Sequence, residues 1–156
     1  MDAATLSIGC HAGSMLALAM RMSAINAEQM GVARAATRAG KSGKEAARVF
    51  LKSTYYRSWS RAQLNNTEYA PMLALLIFVI KYKADKAKRS LSMGEKAACV
   101  ASVAFSYMFL YAAAGQGTID HANMKPGRGG MSPLRPVGAL GRYASFAALI
   151  YYTLKH

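Results

Sequence analysis

The segment Arg61-Ala-Gln-Leu-Asn-Asn-Thr-Glu-Tyr-Ala-Pro71 gathers the groups best suited to hold a charged ligand. On a helix, Arg61, Asn65 and Glu68 stand at i, i+4 and i+7, so a cation, an amide and a carboxylate share one face. That face runs into an apolar stretch, where lone polar groups are costly and need one another, a neighbouring helix or a polar ligand. Glu68 reads as the only acid near a membrane span, and an ion pair with an arginine or a bond to a ligand ammonium is its expected fate. Spacing alone leaves two readings open: a salt-bridge network at the membrane boundary, or a binding face. Tyr107 and Tyr111, four residues apart, are either packing residues or a second polar wall. Arg135, before Pro136, is either an interfacial anchor or a functional cation, and Arg142 is a deeper rival. His11 reads as a packed or interhelically bonded side chain and Arg21 as an interior or snorkelling cation. Cys10 and Cys99 read as small buried hydrophobes, and no metal-ligand cluster is present in the sequence.

The elements that must position these groups follow from hydropathy. The chain has 156 residues, 53% of them hydrophobic, which suits one membrane domain. Apolar residues gather near 6–25, 69–82, 97–115 and 136–154. Each block approaches the ~20 residues that cross a hydrocarbon core of ~30 Å, the second only if its polar approach from about 62 continues the same helix. A soluble four-helix bundle would carry a polar face on every helix, whereas Met72–Ile80 and Ala97–Ala114 are apolar all round. The expected fold is therefore all-α: an integral membrane four-helix bundle with spans near 6–25, 62–82, 97–115 and 136–154, a basic loop over 39–52 and a Gly/Pro-rich loop over 116–134. The first helix is expected to continue past Asn26 toward Arg38. Helix resumes from Glu45 with nothing to break it before Pro71, which should kink the second span. The N-terminal Met-Asp-Ala-Ala lacks a basic n-region, so no cleavable signal is expected.

Twenty Lys and Arg against seven Asp and Glu give a net charge of +13. Clustered cations can bind nucleic acid, but here they flank apolar spans, where they favour anionic headgroups and orient helices, so no nucleic-acid partner is expected. Arg34, Arg38, Lys41, Lys44, Arg48, Lys52, Arg57 and Arg61 lie between the first two blocks. Their excess places that side in the cytosol or its organellar equivalent.

The spacing Arg61-Ala-Gln…Asn65…Glu68-Tyr69…Pro71 resembles the signature of the MAPEG family, the membrane-associated proteins of eicosanoid and glutathione metabolism. It is most similar to the branch of leukotriene synthases and microsomal glutathione transferases 2 and 3. The resemblance implies a homotrimer of four-helix subunits in the endoplasmic reticulum or an organellar membrane. It also implies glutathione as co-substrate, no metal, and a hydrophobic or lipid substrate reached through membrane lipids. Arg34, Arg61, Gln63, Asn65, Glu68, Tyr69, Tyr107 and Tyr111 are then the glutathione-binding residues, and Arg135 the catalytic, thiol-activating one. The chemistry is coherent: arginines suit two carboxylates, an acid suits the ammonium, and a guanidinium beside the sulfur favours the nucleophilic thiolate. Three positions depart from the family pattern. Ala104 and Ala35 stand where arginines are usual, and the loop before Arg135 is long. The expected function is a membrane glutathione transferase or peroxidase; the rival is a non-catalytic MAPEG-like structural or scaffold subunit of a larger membrane complex. A small transporter or channel subunit is a third reading, for which no discontinuous helix pair or repeat is evident.

Overall fold

A computed structural model describes residues 2–114, 119–120, 125–126 and 134–155. Among them are five helices: α1 (Ala3–Arg38), α2 (Gly43–Lys52), α3 (Thr54–Lys86), α4 (Met93–Ala114) and α5 (Leu134–Lys155). Ile119–Asp120 (β1) and Lys125–Pro126 (β2) form a short antiparallel ribbon. The rest of the Gly/Pro-rich loop expected over 116–134 lies outside the described residues.

Local chemistry explains where the helices start and stop. The Asp2 carboxylate accepts from the Thr5 amide at 2.9 Å and caps α1. Its pKa falls from 3.8 to about 2, first because of that amide and then because of the Lys81 ammonium, 3.1 Å away. α1 runs through the membrane-length block and on to Arg38, where Gly40 turns the chain with a φ of 70°. The stretch expected as a basic loop is mostly α2, capped by Ser42, whose hydroxyl accepts from the Glu45 amide at 3.3 Å. One break intervenes where none was expected. Ser53 is extended, ends α2 and caps α3 by accepting from the Tyr56 amide at 3.2 Å. α3 then passes through Pro71 without interruption.

Side-chain pairs fix the register. Arg21 meets Tyr55, Ser14 meets Asn66 and Asp2 meets Lys81, so α1 and α3 are antiparallel. His11 meets Ser102 and Tyr107 reaches the Cys10 carbonyl; Ala4 clusters with Ala98 and Cys99, and Leu18 with Phe109 and Leu110, so α1 and α4 are parallel. Tyr69 meets Tyr143 and Lys83 reaches the Thr153 carbonyl, so α3 and α5 are parallel too. One core cluster takes Ala4, Leu73, Ile77, Ala98, Cys99 and Leu149 from all four long helices. At the other end, Phe50 of α2 packs with Met22, Ile25 and Tyr55.

α5 sits close against α4 because two glycines allow it. A methyl at Gly138 would stand 2.7 Å from the Phe109 backbone nitrogen, and one at Gly141 would fall on the Phe105 ring. Two helices, α1 and residues 93–113 of α4, are long and apolar enough to cross a membrane. Only 28% and 39% of their most apolar windows are buried in the chain.

Candidate functional site

Ser53 starts α3 so that Thr54, Arg57, Ser58 and Arg61 follow one another along one face. Opposite them, Arg135 occupies the first turn of α5. With Ala113, these residues line a cavity of about 230 Å³. Among the described residues, three guanidinium groups and two hydroxyls surround it, and no acid is in that lining. Such a lining suits a carboxylate or another oxyanion, because guanidinium donors match its geometry and charge. Arg135 also lies 6.0 Å from the centre of the Phe109 ring.

Seven residues further along both parallel helices, roughly 10 Å at the helical rise, the α3–α5 groove changes character. Tyr69 and Tyr143 share a hydrogen bond of 3.2 Å, with their rings edge to face. Beneath them Arg142 is only 2% exposed. Its guanidinium is held between the Tyr69 ring at 4.2 Å and the Phe109 ring at 4.3 Å. Its Nε has no hydrogen-bond partner among the described residues, and no carboxylate there lies within ion-pair distance. The Phe109 ring thus lies beside both Arg135 and Arg142.

The expected trio on α3 occupies an outer face. Arg61 and Glu68 are exposed and Asn65 is half-buried, while the helix buries Ala62, Asn66, Ala70, Leu73 and Ile77. Asn65 turns its amide back to the Arg61 carbonyl at 2.9 Å instead of toward Glu68. Glu68 makes no ion pair among the described residues. Gln63 is half-buried. Arg34 opens on a different cavity, of about 560 Å³, shared with Arg38, Thr37 and Lys44 at the α1–α2 corner. Tyr107 donates to the Cys10 carbonyl at 3.0 Å, an interhelical packing bond, and Tyr111 is 76% exposed. Within one chain, therefore, Arg61 and Arg135 line one cavity, Tyr69 lies further along α3, and Arg34, Tyr107 and Tyr111 lie elsewhere.

Several polar groups outside the expected set are buried. His11 Nε2 and Ser102 Oγ are 3.1 Å apart, and the Asn66 amide donates to Ser14 at 3.1 Å. The acid with the most committed surroundings is Glu95, not Glu68. It is fully buried under the start of α4, held by two Arg89 bonds of 2.8 Å and by the Ser92 amide. Ser92 accepts in return from the Glu95 amide, a reciprocal cap readable in the sequence as Ser-x-x-Glu. Arg21, at the end of the first apolar block, bonds to Tyr55, stacks over Trp59 and lies 3.6 Å from Glu28. Cys10 and Cys99 are both free. The described residues contain no cluster suited to a metal.

Comparison with protein-family models, with curated proteins and with solved structures finds no match in any of the three.

Proposed function

We propose that the chain is a multi-pass membrane protein, crossing with α1, α3, α4 and α5, and that it works as a MAPEG-like glutathione transferase or peroxidase. The membrane reading is supported by large apolar side chains turned outward along the long helices, among them Leu16, Leu75, Phe78, Val100 and Leu140. Contiguous outward apolar surface needs a partner, and lipid satisfies all faces at once. The proposed setting is the endoplasmic reticulum or an organellar membrane, with homotrimeric assembly.

The glutathione reading is carried by one observation. Arg61 and Arg135, far apart in sequence, line the same cavity with Arg57. Glutathione brings two carboxylates and an ammonium. The cavity suits a carboxylate, and Glu68, further along α3, is an acid without an ion pair among the described residues, available to the ammonium. A thiol with a reference pKa of ~8.5 needs a nearby cation to react as thiolate at neutral pH, a role that the resemblance gives to Arg135. A hydrophobic electrophile or lipid hydroperoxide would arrive laterally from the bilayer.

The test is calorimetric titration of the detergent-purified protein with glutathione, together with conjugation of an aryl halide and reduction of a lipid hydroperoxide. Loss of a charge-assisted bond costs about 2 kcal/mol, so Arg61→Ala and Arg135→Ala should each weaken kcat/KM by roughly 10- to 100-fold. Unchanged activity in both variants refutes the site. The separate placement of Arg34 and the exposure of Tyr111 favour a second reading, a non-catalytic scaffold subunit. Glutathione binding without turnover, or a folded oligomer that binds none, would select it.

A further inference from the structure

We infer that the corner between α1 and α2 is a second binding site, for a soluble anion carrying two or more linked phosphoryl groups, separate from the cavity at Arg61 and Arg135. Local bonds fix the shape of this corner. Gly40 turns the chain with its φ of 70°, its amide donates to the Thr37 carbonyl at 3.0 Å, and the Lys41 amide donates to the Ala36 carbonyl at 2.9 Å. α2 then folds back along α1, with Gly43 so close that a methyl there would stand 2.7 Å from the Ala33 carbonyl oxygen. Phe50, packed with Met22, Ile25 and Tyr55, anchors the returning helix. The corner bounds a cavity of about 560 Å³, and Arg34, Arg38 and Lys44 line it.

Charge selects the ligand. All three cations are exposed, none is in an ion pair among the described residues, and the described lining holds no acid. Glu45, beside Lys44, pairs instead with Arg48 at 3.8 Å and lines a different cavity with Ala36 and Lys41. Three positive charges exceed what one carboxylate balances. A phosphoryl group carries about −1.5 to −2 at neutral pH, so two linked groups come close to matching them, and guanidinium forks suit phosphoryl oxygens. Depth decides the source of the phosphate. At a rise of about 1.5 Å per residue from the end of the first apolar block near 25, Arg34 lies ~14 Å and Arg38 ~20 Å further along α1. On the membrane reading above, on which this point alone rests, the headgroup layer reaches only about 5–8 Å past the hydrocarbon. The phosphates of that bilayer fall short of the corner, and a water-borne ligand reaches it.

The experiment is calorimetric titration of the whole protein in uncharged detergent with inorganic pyrophosphate at fixed ionic strength. Arg34→Gln, Arg38→Gln and Lys44→Gln should each weaken Kd by about three- to tenfold, whereas Lys41→Gln and Lys52→Gln, which remove the same charge outside the lining, should change it by less than about twofold. Gly43→Ala keeps every charge but must spread the corner, so it should weaken binding too. Equal losses in all five charge variants would show diffuse attraction without a site and overturn the inference, as would an unchanged Kd in Gly43→Ala or no binding by wild type. Native mass spectrometry from lipid nanodiscs of phosphatidylcholine and phosphatidylglycerol separates the sources. A retained phosphatidylglycerol that pyrophosphate displaces would make a lipid headgroup the occupant and overturn the soluble one. Saturating glutathione should leave the pyrophosphate Kd unchanged, and competition between the two would make the corner part of a glutathione site and overturn its independence. Glutathione that binds nowhere refutes the glutathione reading and leaves this inference standing. A protein that does not enter nanodiscs refutes the membrane reading, while the pyrophosphate titration still judges the corner.

Discussion

Replacing Gly138 by Ala tests the contact on which the α3–α5 groove depends. The added methyl would stand 2.7 Å from the Phe109 nitrogen and 2.9 Å from its Cα. Ordinary carbon contacts lie at about 3.5–4.0 Å, and the obstacle is backbone, so α5 itself must move by close to an ångström. Overpacking of this kind costs about 1–3 kcal/mol, and a backbone obstacle places it in the upper part of that range. Against this, alanine gains up to about 1 kcal/mol over glycine in a helix. Gly13→Ala isolates the propensity gain, because nothing lies within 4 Å of its added methyl. The difference between the two variants is then the overpacking cost alone, worth several degrees of melting temperature. Gly141→Ala should fall between them, since the obstacle there is the Phe105 ring, which can turn. Thermal unfolding in one detergent measures all three. A Gly138→Ala protein that melts with or above Gly13→Ala would refute the close α4–α5 contact, and with it the stacking of Phe109 on Arg142.

Two further outcomes follow from the helix starts. The folded pKa of Asp2, near 2, lies below its ordinary 3.8, so its stabilisation is present above that ordinary value and lost as pH falls toward 2. Amide exchange at Thr5 should accelerate over that interval, and a step that persists in Asp2→Asn would contradict the assignment. Ser92→Ala should cost about 1 kcal/mol through loss of the α4 cap, and Glu95→Gln more, because it strips both the Arg89 pair and the bond to Ser92. Equal melting of wild type and both variants would show that this corner does not hold α4 in place.

Apolar runs were enough to read the helical class, the four long segments and the continuation of α1 past its apolar block, because backbone hydrogen bonding and hydropathy act locally. Capping is equally local, and Ser42, Ser53 and the Ser92–Glu95 pair all carry its signature. Ser53 is hard to read because its neighbours on both sides favour helix, so only the observed extended backbone reveals the break.

Which polar residue faces inward is a different kind of question. Asn65 and Asn66 differ by about 100° around α3, and sequence offers each the same chemistry. Packing against Ser14 buries Asn66 and leaves Asn65 to its own backbone. Likewise, composition shows arginines at 61, 135 and 142, but their grouping depends on the α3–α5 register, set by contacts many residues distant. The tertiary structure alone decided that Arg61 and Arg135 share a cavity and that Arg142 lies sealed between rings contributed by two other helices. The arginines and the helices that carry them are written in the sequence; the burial that sets Arg142 apart from Arg61 and Arg135 arises only when the helices pack.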